Sequence, residues 1–279
     1  MQRITSKDNE FIKHVKKLKD KKYRDEAGEF IIEGIKLIEE AIQENATIKH
    51  IVICEENEKV NSISKRLMYE ISKYNCIYVT QKVFNSITQV VAPQGIFAII
   101  AKPVFGDGLK KQHNLNQPSL TVNEIDFTED VVIALDDIQD PGNLGTILRT
   151  VDSCGLKQIL LSKGTVDSYN PKVVRSTMGA IFRVKIIECE DLIKTIKEIK
   201  KHHFKLQVTS LQTDNTIYDV DYKKKIIVIG NEANGVSKEI ENMADEKVKI
   251  PMIGKTESLN ASVATGIVLY EYTRQKLNK

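Results

Sequence analysis

The chain has 279 residues, of which 41% are hydrophobic and 28% charged, with a formal net charge of +3. This is globular composition, long enough for two domains, and no run approaches the roughly 18–20 apolar residues needed to cross a bilayer. The opening MQRITSKDNEFIKHVKKLKD lacks an apolar signal-peptide core, so the expectation is a cytoplasmic protein without a membrane partner.

Cys54, Cys76, Cys154 and Cys189 stand far apart with no C-x-x-C pair, and only His202 and His203 are adjacent among five histidines. Neither a disulfide framework nor a metal site is expected from such spacing. The charge is unevenly placed. Residues 1–25 hold nine Lys/Arg against four Asp/Glu, which leaves 32 against 34 in the remainder. Clustered cations suit a phosphate-rich partner, although a solvated helix face explains them equally well at this point.

In chain order, residues 7–22 place Phe11, Ile12, Val15 and Leu18 at helical spacing among lysines, which predicts a basic amphipathic helix. Short strands (EFIIEG, IKHIVIC, CIYVT, GIFAII) then alternate with helices (IKLIEEAIQ, SISKRLMYEISK), giving an α/β domain over residues 1–101. Residues 102–129 lose periodicity and gather Gly, Pro and Asn, as an interdomain linker does. A second α/β domain fills 130–279. Its strands are VVIALDDI, KQILLS, RVKII, HFKLQVTS, KKIIVIG and EKVKIPM, and its helices lie near 143–153, 171–178, 190–200, 236–243 and 260–275. Strands apolar on both sides suggest a mostly parallel sheet covered on both faces. No G-x-G-x-x-G follows its first strand and no phosphate-binding G-x-x-x-x-G-K-[ST] occurs, so both common nucleotide signatures are missing.

Three polar stretches fall at strand ends, where open α/β sheets build sites. In DDIQDPGNLGTILRT, Asn143 is placed to cap a helix whose stripe is Leu144, Ile147, Leu148 and Val151. Arg149 lies roughly 140° around that helix from Leu144, off the stripe, free for a ligand or for an ordinary surface ion pair. In VIGNEANGVS, Gly230 and Gly235 permit close backbone approach around Glu232, with Ser237 as a helix cap. In IPMIGKTESLNASVATGIVLYE, Ser258 and Asn260 precede a helix apolar around much of its circumference. Such a helix needs cover on more than one side, from its own chain or from a second subunit.

In this order the stretches resemble the SpoU (TrmH-type) family of RNA ribose 2′-O-methyltransferases, within the SPOUT class. Asn143, Gly145 and Arg149 match its N-x-G-x-x-x-R, while Gly230, Glu232 and Gly235 match its G-x-E-x-x-G. Ile250, Pro251, Met252, Ser258, Leu259, Asn260, Ser262 and Ala264 match its I-P-M…S-L-N-x-S-x-A. The N-terminal part is similar to the L30e-like RNA substrate-binding domain common in that family.

The resemblance implies an α/β fold of two domains, the second a SPOUT domain with a mostly parallel six-stranded sheet and a C-terminal trefoil knot, an exception to the usual avoidance of knots. It implies S-adenosyl-L-methionine as cofactor, RNA as substrate (ribosomal above transfer RNA, not DNA), and a homodimer through the C-terminal domain. Carried over residue by residue, Thr209, Ser210, Leu211, Gly230, Asn231, Gly235, Ile250, Met252, Ser258 and Leu259 would bind the cofactor. Arg149, Asn143, Ser258, Asn260 and Glu232 would form the catalytic set, with Glu232 fixing Arg149 or the knot backbone. A catalytically silent RNA-binding protein and a base methyltransferase are the competing readings.

Overall fold

The computed structural model describes residues 2–103 and 124–278. Most of the expected linker lies outside those residues. Its two described ends are ordered parts of the folded units: Lys102 donates its amide to the Gly28 carbonyl, and Ile125 is buried in the core of the second unit. The described residues form two compact units, 2–103 with 169–182, and 124–168 with 183–278. No helix among them is long and apolar enough to cross a membrane.

The first unit holds a five-stranded mixed sheet made of β1 (Gln2–Ile4), β2 (Glu29–Glu33), β3 (Ile48–Ile53), β4 (Cys76–Val79) and β5 (Ile96–Ala101), in the order β1-β4-β3-β5-β2. β5 runs antiparallel to both its neighbours and the other pairs are parallel. Alternate residues feed two cores. Ile51, Ile53, Ala98 and Ile100 pack with Ile38 of α3 (Ile35–Gln43) and Ile71 of α5 (Lys65–Ile71). Val52, Phe97 and Ile99 pack on the opposite face with Ile12 and Val15.

The single helix read over 7–22 is two helices, α1 (Glu10–Lys17) and α2 (Lys21–Ala27). Asp20 makes the break, because its carboxylate accepts the Tyr23 amide and caps a new helix. Buried Arg24 then ties the carbonyls of Leu18 and Lys19 with Nη1, at 2.8 and 2.7 Å, satisfying acceptors that the end of α1 leaves open. Residues 169–182, which the sequence reading kept with the second domain, pack in this unit. Val174 of α8 (Pro171–Ser176) joins the core cluster of Phe30, and the Tyr169 ring lies 4.8 Å from the Phe30 ring, centroid to centroid.

The second unit holds six strands: β6 (Val131–Asp136), β7 (Gln158–Ser162), β8 (Lys185–Cys189), β9 (Lys205–Thr209), β10 (Lys225–Gly230) and β11 (Glu246–Val248). Their order is β11-β9-β10-β6-β7-β8, and every pair is parallel. All six residues of β10 are buried, as a central strand covered on both faces requires. One face packs Val132, Ala134, Ile226 and Val228 against Ile196 and Ile199 of α9 (Leu192–Lys200). On α7 (Pro141–Ser153) the stripe Leu144, Ile147, Leu148 and Val151 is fully buried, and α7 packs with α11 (Ala261–Leu277).

Candidate active site

The strands of the second unit run outward from β6 in two directions, so the carboxyl ends of β6 and β10 border the crevice where parallel α/β sheets hold ligands. Asp136 and Gly230, the last residues of those strands, are register partners. The loop after β6 starts α7 with Asp140 as its cap, accepting the Asn143 amide at 2.8 Å, and Pro141 stands in the first turn. Asn143 is therefore not the cap. It lies inside the first turn, 9% exposed, with its side chain free for other partners.

Those partners come from the two other polar stretches. Asn143 Nδ2 donates to Glu232 Oε1 at 2.6 Å, and Asn143 Oδ1 accepts from Asn260 Nδ2 at 2.9 Å. A carboxylate only accepts, which fixes the direction of the whole chain of bonds. Asn260 Oδ1 in turn accepts the amides of Ser262 and Val263 and so caps α11. One relay thus fastens the turn after β10, the helix after β6 and the start of the last helix. Glu232 was expected to fix Arg149 or backbone; it holds Asn143 instead.

The turn after β10 closes on itself: Asn231 and Gly235 exchange both backbone hydrogen bonds at 2.9 Å, and Asn231 Nδ2 donates to the Asp137 carbonyl at 2.8 Å. Gly235 has φ +70, where a side chain is strained. Gly230 is constrained more severely, since a Cβ there would lie 2.1 Å from the Gly235 carbonyl carbon. Ser237 donates its amide to Asp136 Oδ2 at 2.8 Å, joining this turn to the end of β6 a second time.

These segments enclose an open cavity of about 430 Å³. Thr209, Ser210 and Leu211 line it from the end of β9, and Gly230, Asn231 and Gly235 from the turn after β10. Ile250, Met252, Ser258 and Leu259 line it from the segment before α11. All ten positions assigned to the cofactor therefore meet on one cavity. Glu232 and Ser258 of the catalytic set also line it, whereas Asn143 and Asn260 stand behind as the relay. Arg149 is exposed on α7 outside the lining and forms no ion pair among the described residues.

The sequence reading did not single out Glu241 or Lys249, which also line the cavity. Glu241 lies on α10 (Lys238–Asn242), and hydrogen bonds from Lys247 and Ser210 hold its carboxyl below the usual carboxylate range against a smaller opposing effect of burial. Glu239 and Glu241 look alike in the text, so no spacing signal marks the one that faces the cavity.

An S-adenosylmethionine-type ligand fits this lining. Leu211, Ile250, Met252 and Leu259 supply apolar surface for a purine, and Gly230 lets the Gly235–Val236 backbone fold tightly against the end of β10 at the cavity wall.

Residues 130–270 match the model of the SpoU rRNA methylase family, and residues 9–98 match an MRM3-like substrate-binding domain. The chain is 30% identical over 271 residues to the 23S rRNA (guanosine(2553)-2′-O)-methyltransferase RlmP of Bacillus subtilis, covering 97% of this chain and 98% of that one. Its fold is similar to an AdoMet-bound rRNA methyltransferase from Sinorhizobium meliloti, with TM-score 0.79, 29% identity and 98% of each chain covered. The SpoU methyltransferase AviRb from Streptomyces viridochromogenes shares the fold at TM-score 0.80 and 23% identity, over 97% of this chain and 98% of that one. With a cavity built from two of the motif segments and the end of β9, the remaining motif segment tied to it through Asn143, and a family match spanning all three, the chain belongs to the SpoU rRNA methylase family.

Proposed function

We propose that this protein transfers a methyl group from S-adenosylmethionine to a ribose 2′-hydroxyl of ribosomal RNA, in the cytoplasm and as a homodimer. The observation that carries this reading is the convergence of the second and third motif segments and the end of β9 on one cavity, to which the Glu232–Asn143–Asn260 relay ties the first motif segment. Ribosomal RNA is preferred because RlmP, similar over nearly the whole length, is named for 23S rRNA. The exposed lysines Lys13, Lys17, Lys19 and Lys22 on the first unit supply the electrostatics for a phosphate backbone.

The cofactor supplies an already activated methyl group, so the protein's task is alignment of the acceptor oxygen and stabilisation of its developing negative charge. Arg149 has the right chemistry for the second part. Its guanidinium is a poor base but an effective clamp for a phosphate or an alkoxide. Its freedom from ion pairs among the described residues leaves both edges for RNA. Ser258 and Asn260 orient the sugar, and Glu232 acts on the site through Asn143.

α11 supports the homodimer. Val263, Tyr270 and Leu277, at seven-residue intervals, are 50%, 57% and 80% exposed, an apolar stripe that a second copy would cover. The proposal includes the knotted C-terminal path that the family resemblance implies. Gln275 Nε2 donates to the Val220 carbonyl at 2.9 Å, tying α11 to the loop after β9.

The test is incubation of the purified protein with ribosomal RNA and methyl-labelled S-adenosylmethionine, then digestion to nucleosides. Label in a 2′-O-methyl nucleoside is the expected result. Label in a base, or none despite cofactor binding, would overturn the proposal.

A further inference from the structure

Of the carboxylates that line the cavity, Glu232 is engaged by Asn143, while Glu257 lies on an exposed stretch. Glu241 differs from both. Ser210 Oγ and Lys247 Nζ each donate to Glu241 Oε1 at 3.0 Å. Two donors on one oxygen fix the carboxylate in place, and Oε2 takes no hydrogen bond among the described residues. Its neighbour Ile240 is buried in the core, which anchors the short helix that carries it. The cavity thus presents one immobilised acceptor with an unused oxygen.

A nucleoside ligand offers such an oxygen three kinds of donor: ribose hydroxyls, the exocyclic amine and, in an amino-acid conjugate, the ammonium. The carboxylate charge is already matched by Lys247, so a neutral donor suits the remaining oxygen better than a second full cation. Ser210, which holds the carboxylate, stands at the carboxyl end of β9, within the segment assigned to the cofactor on other grounds. We propose that Glu241 is a cofactor-binding residue whose Oε2 accepts a hydrogen bond from a ribose hydroxyl of S-adenosylmethionine. This rests on the proposed function and adds a recognition contact that the family motifs do not contain.

The experiment is calorimetric titration of the full chain with S-adenosylmethionine, 5′-methylthioadenosine and the 2′,3′-dideoxy form of the latter. The wild-type protein should bind methylthioadenosine about tenfold more tightly than its dideoxy form, the worth of one charge-assisted hydrogen bond. Glu241→Gln should weaken S-adenosylmethionine and methylthioadenosine about tenfold each and leave the dideoxy compound unchanged, so that the cycle closes on that one contact. Lys247→Met, which removes one of the two donors that fix the carboxylate, should weaken S-adenosylmethionine and methylthioadenosine and hold the dideoxy compound within threefold. If Glu241→Gln and Lys247→Met weaken every ligand equally, Glu241 only braces the fold and the proposal falls. A loss confined to S-adenosylmethionine would place the contact at the ammonium and also overturn it. A wild-type chain that binds no S-adenosylmethionine would overturn the proposed function itself, whereas unchanged binding by Glu241→Gln would remove only this contact.

Discussion

Asn143→Asp, nearly isosteric, should be more damaging than Asn143→Ala. The aspartate keeps the oxygen that accepts from Asn260 but loses the Nδ2 donor to Glu232, a bond of 2.6 Å to a carboxylate. Such a bond contributes about 1.5–3 kcal/mol. The new carboxylate would also stand about 3 Å from that of Glu232, a repulsion of about 1.4 kcal/mol at the dielectric of water and about 5.5 kcal/mol at an effective value of 20. Glu232 is exposed, so the smaller figure applies. The sum is about 3–4.4 kcal/mol, or at least about 150-fold if it falls on the transition state. Asn143→Ala removes both bonds, yet its exposed former partners rehydrate, and the expected loss is nearer tenfold. Glu232→Gln added to Asn143→Asp reverses the donor and the acceptor and should recover at least tenfold. The assay is single-turnover methyl transfer at saturating cofactor, with thermal melting to verify folding. Equal activity of Asn143→Asp and Asn143→Ala, or a double variant no better than Asn143→Asp alone, would refute the relay.

Arg149→Lys retains charge but loses the planar fork, and turnover should drop about 10–100-fold with cofactor affinity unchanged; turnover near wild type would remove the clamp argument. Gly230→Ala should abolish cofactor binding in calorimetry, because its methyl group would overlap the Gly235 backbone. A charged network open to pH lies in the first unit. Burial works to raise the Glu29 carboxyl, but hydrogen bonds from Lys49 and His14 outweigh it and hold the group below its usual range. The folded-state value is depressed, so the stabilisation is present above the ordinary carboxylate range and is lost as pH falls through the folded value. Melting of Glu29→Gln should therefore trail wild type at pH 7 and converge with it in acid; a gap independent of pH would contradict this. Val263→Glu combined with Tyr270→Glu should give a monomer by sedimentation, and a dimer unaffected by both charges would place the interface elsewhere.

The second unit was largely legible because its strands are buried on both faces and so read as uninterrupted apolar runs, with Gly and Pro marking their ends. Each of its six strands and five helical segments has a counterpart in the structure, four of those helices in the second unit and α8 in the first. The misreadings have local causes. β1 is only three residues long and pairs with a strand more than seventy residues away, so it carries no period of its own. The break between α1 and α2 depended on Asp20 and on Arg24 turning back, and the lysines on either side concealed it. Asn143 reads as a cap because it is a cap-forming residue, although Asp140 followed by proline is the stronger signal. The cofactor positions were found through motifs. The relay was not, since it joins side chains 89 and 117 residues apart, and nothing in spacing tells which amide meets which carboxylate. The packing of residues 169–182 with the first unit is likewise a non-local fact.

The central claim is that the segments after β9 and β10 and before α11 form a single cofactor site. Hydrogen–deuterium exchange of the full chain with and without S-adenosylmethionine tests it most directly. Slowed exchange is expected together in 209–212, 230–236 and 250–259, with the strands of the first unit unchanged. Protection in only one of these segments, or its appearance elsewhere, would contradict the account.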